Sequence, residues 1–98
     1  MIRHTVLLTF SAAATDADLD GIVESLQALP AKIGAIATYT VARDLRLDPT
    51  NASIMVVADF DSVADYREYS THPDHVAVIN QQIKPILSHR SAIQVELA

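Results

Sequence analysis

The sequence contains no cysteine, which excludes a disulfide framework, a thiolate nucleophile and a cysteine-based zinc site. Glycine and proline are scarce, with two and four residues, while half of all residues are hydrophobic. This composition is unlike that of a disordered chain. The length of 98 residues predicts a single domain that spans residues 1–98.

Basic residues are also few, because 7 Lys and Arg stand against 12 Asp and Glu and give a net charge of −5. Phosphate binding requires clustered basic residues, and these are scattered, so we expect no nucleic-acid partner. No apolar run approaches the roughly 20 residues needed to cross a bilayer, so we expect no membrane partner. Residues 1–10 alternate between apolar and polar side chains, unlike a signal peptide, and we predict a cytoplasmic protein.

Two periodicities along the chain predict seven elements in the order β-α-β-β-α-α-β. Alternation or β-branched runs predict strands at residues 2–10, 35–43, 53–60 and 91–97. Helical spacing and capping patterns predict helices that begin after Thr15, after Ser62 and at His72-Pro73. This order is that of the ferredoxin-like α+β fold, an antiparallel four-stranded sheet with its helices on one face.

The sheet face that the helices leave bare is predicted to be apolar. The third strand is apolar on both faces, and Leu7 adds to the second face of the first strand. A contiguous apolar face of this size usually meets a partner. We therefore predict a homodimer in which the partner is a second copy of the chain, packed sheet to sheet.

The candidate site lies where the second and third helices meet, because Tyr69, His72 and His75 fall within seven residues there. Strand alternation places His4 on the face that the helices should cover, opposite that junction. These residues and the apolar side chains around them are expected to form a small-molecule pocket. The predicted apolar ligand contacts are Val6, Leu8, Leu19, Ile22 and Val56.

Each polar residue of the junction has a predicted role. A neutral His75 is suited to abstract a proton beside a carbonyl that Tyr69 polarises, and His4 faces them. His72 precedes Pro73, so it is expected to cap the helix rather than to bind a ligand. Three nitrogens from His4, His72 and His75 form an alternative metal site, but no carboxylate is placed as a fourth ligand. We predict neither a metal nor a cofactor.

The whole chain resembles the stress-responsive α/β-barrel (Dabb) domain family. The resemblance rests on the start from Ile2 to Phe10, on Leu29-Pro30, on Phe60-Asp-Ser62 and on Tyr69-x-x-His72-Pro73-x-His75. It implies a dimeric α/β barrel with one small pocket per subunit.

One plant member of the family that this chain resembles, olivetolic acid cyclase, cyclises a linear polyketide thioester. The resemblance carries its catalytic tyrosine and histidine to Tyr69 and His75, and a strand-one pocket histidine to His4. Ile54 stands where the resembled pattern has a further pocket histidine.

Two function classes follow from these patterns and from what the resemblance implies. The first is a cofactor-independent cyclase or lyase that acts on an apolar carbonyl compound, with His75 as its general base. The second is a non-catalytic dimer that binds a small ligand or serves a stress response. An open cavity in which Tyr69, His75 and His4 converge favours the first, and a filled core favours the second.

Overall fold

The computed structural model describes all 98 residues and contains one four-stranded antiparallel sheet. The strands are β1 (Ile2–Phe10), β2 (Thr38–Arg43), β3 (Ile54–Phe60) and β4 (Leu87–Glu96). The α-helices are α1 (Asp16–Gln27), α2 (Val63–Thr71) and α3 (Pro73–Val78), and α3 continues through a π-helical turn (Ile79–Ile83) and a 3-10 turn (Lys84–Ile86). The strand order β2-β3-β1-β4 confirms the predicted ferredoxin-like fold.

The helix starts follow the predicted caps. Thr15 and Asp18 form a capping box in which each side chain accepts a hydrogen bond from the other residue's backbone N–H. His72 ends α2 and caps α3, since its extended backbone precedes Pro73 and its Nδ1 accepts from the Asp74 N–H at 3.1 Å. One residue therefore sets the bend between the two helices.

Three element boundaries differ from the sequence prediction by two residues or more. The apolar spacing predicts that the first helix runs to about Leu29, whereas α1 ends at Gln27, because Leu29–Ala31 form a 3-10 turn around Pro30. β2 begins at Thr38 rather than residue 35, after a turn in which the Ile36 N–H donates to the Ile33 carbonyl. β4 begins at Leu87 rather than residue 91, since it pairs with β1 from Phe10 onward across a bulge. Periodicity within one strand does not reveal such cross-strand pairing.

The core lies between the sheet and the helices. β1 and β3 both contribute alternate residues to it, and those of β3 are Ile54, Val56, Ala58 and Phe60. The largest fully buried side chains are Phe60, Ile22, Leu26, Leu29, Ile33 and Ile54. No helix combines the length and the apolar character required to span a membrane.

The other face of the sheet, which we call the outer face, carries large apolar side chains in contact with solvent. Those at least one third exposed are Leu7, Met55, Ile93 and Val95. At one end of this face Arg3 forms a bidentate ion pair with Asp59, with N–O distances of 2.9 and 3.0 Å. The Thr38 hydroxyl donates to the same carboxylate at 2.7 Å. The outer face thus carries exposed apolar side chains from β1, β3 and β4, together with threonine residues of β1 and β2 and one ion-pair cluster at one end.

Candidate functional site

A cavity of about 440 Å³ lies between the sheet and the α2–α3 corner. Nine of its 14 lining residues are hydrophobic, counting two tyrosines, and the other five are two histidines, a serine, a lysine and an arginine. A few polar groups in a mostly apolar cavity are the usual composition of a small-molecule site. His4, Tyr69 and His75 all line this cavity, so the structure brings together the three residues predicted to be catalytic.

The five predicted apolar contacts separate into two groups. Val6, Leu8 and Val56 line the cavity from the sheet. Leu19 and Ile22 do not line it; both are buried in the core under the first turns of α1. The helix reaches the cavity only near its C-terminal end, through Leu26. Helical spacing shows which face of α1 is buried, but it does not show which turns of that face border an empty space.

Tyr69 and His75 are stacked across the bend between α2 and α3. Their ring centroids are 4.1 Å apart, with an angle of 32° between the ring planes. Tyr69 is buried and His75 is partly buried. The His72 cap causes this contact, because it turns the chain between the two residues and lets the start of α3 fold back towards the end of α2.

The hydrogen bond of His75 determines which ring nitrogen carries its proton. Nδ1 lies 3.2 Å from the backbone carbonyl oxygen of Ser70, which can only accept, so Nδ1 bears the hydrogen. Nε2 then has a free lone pair. Burial lowers the pKa of His75 from its ordinary value, and this effect outweighs the opposing hydrogen bond to Ser70. His75 is therefore neutral at pH 7 and can act as a base through Nε2.

His4 has the complementary arrangement. Its Nδ1 accepts from the side-chain amide nitrogen of Gln94 at 2.8 Å, which leaves the hydrogen on Nε2. Every fully buried side-chain nitrogen or oxygen in the chain has a hydrogen-bond partner. The Nε2 atoms of His4 and His75 make no hydrogen bond within the chain, so they are not among the fully buried atoms. Both atoms are thus accessible from the cavity, one as a donor and the other as an acceptor.

We expect His4 to make the fold sensitive to acid. Burial, helped by the positive charges of Arg90 and of protonated His75, lowers the pKa of His4 from 6.5 to about 4 in the folded chain. Between these values the unfolded chain binds a proton that the folded chain does not, so the free energy of unfolding falls as the pH is lowered from 6.5 towards 4. Urea unfolding at a series of pH values measures this dependence.

The same series with His4→Gln should show a weaker dependence on pH. It will not vanish, because the lowered pKa of His75 acts in the same direction. His89→Gln changes an exposed histidine on β4 and serves as the control. Its stability should depend on pH as that of the unchanged protein does. An undiminished dependence in His4→Gln would show that the burial of this imidazole does not limit stability in acid.

The hydroxyl of Tyr69 is held by a second tyrosine. The Tyr39 and Tyr69 hydroxyl oxygens are 2.9 Å apart. Burial raises the pKa of both phenols, so both are protonated at neutral pH. When Tyr39 donates to Tyr69, the Tyr69 hydrogen is free to point to another acceptor. Tyr39 lies on β2, and no sequence pattern indicated this contact between a strand and a distant helix.

Eight of the 14 lining residues were not among the predicted site residues, and Tyr66 and Arg90 are two of them. The Tyr66 ring packs against His4 with centroids 5.1 Å apart. Arg90 lines the cavity from β4, at the position paired with Leu8 of β1. The predicted start of β4 at residue 91 left Arg90 outside the sheet, so only a correct strand register would have found it.

The remaining two histidines do not line the cavity. His72 is the α3 cap, as predicted, and its Nδ1 is occupied by the Asp74 N–H. His89 is exposed and bonds to Ser91. No three His, Asp or Glu side chains are arranged to hold a metal ion, so the alternative site of His4, His72 and His75 is not assembled. Ile54, where a further histidine was expected from the resemblance, is fully buried.

Comparisons with known proteins agree with the fold. The sequence profile described as Stress responsive A/B Barrel Domain matches residues 2–97. A dimeric ferredoxin-like protein of unknown function from Thermobifida fusca is 35% identical, with a TM-score of 0.89 over 98% of this chain and 90% of that one.

Two less similar solved structures have the same fold. A Dabb family protein from Mesorhizobium loti is 24% identical, with a TM-score of 0.80 over 99% of this chain and 97% of that one. A hydroxynitrile lyase from Passiflora edulis is 16% identical, with a TM-score of 0.84 over 99% of this chain and 93% of that one. No curated protein matches this chain.

Proposed function

Because the chain belongs to the stress-responsive A/B barrel domain family, we propose that it is a homodimer with one small-molecule pocket per subunit, in which Tyr69 and His75 catalyse cyclase- or lyase-type chemistry on a carbonyl compound without a cofactor. The observation that carries this proposal is the pair itself. A neutral His75 with its Nε2 lone pair accessible from the cavity stacks on a protonated Tyr69.

The proposed step is the removal of a proton from the carbon beside the carbonyl. The proton passes to His75 Nε2, and the electron pair of the broken C–H bond forms an enolate. The enolate oxygen accepts a hydrogen bond from the Tyr69 hydroxyl, and Tyr69 in turn accepts one from the Tyr39 hydroxyl. The enolate carbon can then attack a second carbonyl of the same molecule, which closes a ring, and His75 returns its proton to the alkoxide that forms.

His4 contributes a second hydrogen-bond donor in this scheme. Its Nε2–H is accessible from the cavity, and its low pKa keeps the ring neutral over the working range. Two neutral donors, Tyr69 and His4, can stabilise a developing oxyanion without placing a further positive charge beside His75. The hydroxynitrile lyase from Passiflora edulis supports enzymatic function in this fold, though its low identity carries only the fold to this chain.

A non-catalytic dimer that binds a small apolar ligand or serves a stress response is the second candidate. The observation in its favour is the cavity lining, which is hydrophobic at nine of 14 positions. In that case Tyr69 and His75 anchor a ligand and no bond is broken. Binding without proton exchange separates this candidate from the first.

The outer face supports self-association. Its exposed apolar side chains come from β1, β3 and β4, as a face-to-face contact between two sheets requires. The similar proteins from Thermobifida fusca and Bacteroides fragilis are described as dimeric. We propose that two copies pack through this face, which leaves the cavity on the helix side of each subunit open to ligand.

Proton exchange in heavy water tests the enzymatic proposal. The protein is incubated with a panel of aliphatic and aryl methyl ketones, and proton NMR follows the loss of the signals beside the carbonyl. We expect exchange above the rate in buffer for those ketones that fit the cavity. Ketones that bind but do not exchange would identify the non-catalytic candidate, and a panel that neither binds nor exchanges would overturn both.

A further inference from the structure

The cavity has two cationic residues and no anionic residue in its lining. Arg90 of β4 and Lys84 of the 3-10 turn line it, whereas no Asp or Glu does. The whole chain has a net charge of −5. The cavity that holds the candidate catalytic groups is therefore positively charged in its lining, although the protein as a whole is negative.

The Arg90 guanidinium has no partner within the chain. The arginines that form ion pairs are Arg3, Arg43 and Arg46, and their carboxylate partners lie on β3 and α1. Neither Arg90 nor Lys84 takes part in an ion pair or in a side-chain hydrogen bond. Guanidinium groups bind carboxylates through two parallel hydrogen bonds, so Arg90 presents an unused fork of donors to the cavity.

The strand register gives Arg90 its orientation. Arg90 is paired with Leu8 and Gln94 with His4, so both β4 residues lie on the helix side of the sheet. All of β4 after Leu87 is exposed, so no helix covers this side of the edge strand. Arg90 therefore stands beside the open part of the cavity, where a ligand can enter.

The field of Arg90 reaches the candidate catalytic groups. Its positive charge contributes to the lowered pKa of His4 and of His75, and it opposes the burial that raises the pKa of Tyr69. One cation that acts on all three groups is close enough to stabilise an anion bound between them and the cavity mouth.

We propose that Arg90, assisted by Lys84, binds the carboxylate of an oxo acid whose carbonyl group lies within reach of the Tyr69 hydroxyl and of His75 Nε2. This inference rests on the proposed function and adds the substrate class, a carbonyl compound with an apolar chain and a carboxylate at one end. The carboxylate fixes one end of the molecule, and the apolar wall from β1 to the π-helical turn holds its chain.

Binding measurements with an acid and its neutral ester test the inference without turnover. Calorimetry compares 5-oxooctanoate with methyl 5-oxooctanoate. We expect the acid to bind about tenfold more tightly, as one charge-assisted pair provides, and the preference to fall at high salt. Arg90→Gln should remove the preference and leave the affinity for the ester unchanged. Equal affinities in the unchanged protein, or a preference that survives Arg90→Gln, would overturn the inference.

Further variants and competing anions show which cationic residue binds the ligand and which kind of anion the site prefers. Lys84→Gln should reduce the preference by less than Arg90→Gln does. Lys32→Gln removes an exposed charge that does not line the cavity, and it should keep the full preference. Inorganic phosphate and acetate are compared as competitors of 5-oxooctanoate. Stronger displacement by phosphate at equal ionic strength would mean that the site is built for a phosphate and would overturn the carboxylate assignment.

The same experiment separates this inference from the function on which it rests. His75→Gln should bind 5-oxooctanoate in preference to the ester, because the carboxylate contact does not involve the base. A preference for the acid with no proton exchange in the unchanged protein would refute the enzymatic proposal and leave the anion site intact. Failure of both compounds to bind would overturn the two together.

Discussion

Replacing His75 by glutamine should lower the rate of proton exchange beside a ketone carbonyl by about 10²–10⁴-fold, the usual contribution of a positioned base. Glutamine keeps a side chain of similar polarity but cannot take up the proton. The substrate should still bind, because the apolar wall and the Tyr69 hydroxyl remain. NMR exchange rates and calorimetric affinities measured on the same variant separate these two effects.

His72→Asn is the matched control for this substitution. It removes the neighbouring imidazole but keeps a side chain that caps α3 well. This variant should exchange protons at the rate of the unchanged protein. If His72→Asn lowered the exchange rate as much as His75→Gln does, the bend between the helices, and not a base at position 75, would explain the loss.

The pH profile adds a second signature of His75. Its exchange activity should fall in acid with a midpoint below 6.5, because burial and the charges of Arg90 and His72 lower its pKa. His4 and Tyr69 also contact this space, but His4 takes up its proton nearer pH 4 and Tyr69 stays protonated. A midpoint at or above 6.5 would contradict the assignment of His75 as the buried base.

Ile93→Glu should dissociate the proposed homodimer. Ile93 is 60% exposed on the outer face of β4, paired with Thr5 of the central strand. In a symmetric contact the substitution places two carboxylates in an apolar interface, and burying an unpaired charge costs several kcal/mol. We expect the dissociation constant to rise at least about 100-fold, and light scattering over a range of protein concentrations measures the shift to monomer mass.

Val63→Glu provides the control for this change of charge. Val63 is 57% exposed at the start of α2, on the other side of the sheet. The same added charge should leave the dimer intact there. If the unchanged protein has a monomer mass at micromolar concentration, the proposed sheet-to-sheet contact is wrong.

Much of the fold could be predicted because its determinants are local. The alternation in β1, the capping box at Thr15 and the His72-Pro73 cap each depend on residues a few positions apart. The start of β4 could not be predicted in this way. It depends on the bulge between Thr9 and Phe10, which is a property of two strands at once.

The site residues that could be predicted are likewise those with local determinants. His4, Tyr69 and His75 were identified because the face of β1 and the helix junction could be read from spacing and from the family resemblance. Tyr39 and Arg90 were missed, since their approach to the site depends on the packing of α2 against β2 and on the register of β4. Positions at strand edges and cross-element contacts are set by tertiary structure, which periodicity does not contain.

The uncovered helix side of β4 has a consequence for how such proteins diverge. Arg90 and Ala92 project from the edge strand on the same side as the cavity, yet both are exposed and neither belongs to the core. Substitutions at such positions cost little folding free energy. A lineage can therefore change the chemistry it recognises along this strand by single mutations, while the buried residues that keep the fold stable stay as they are.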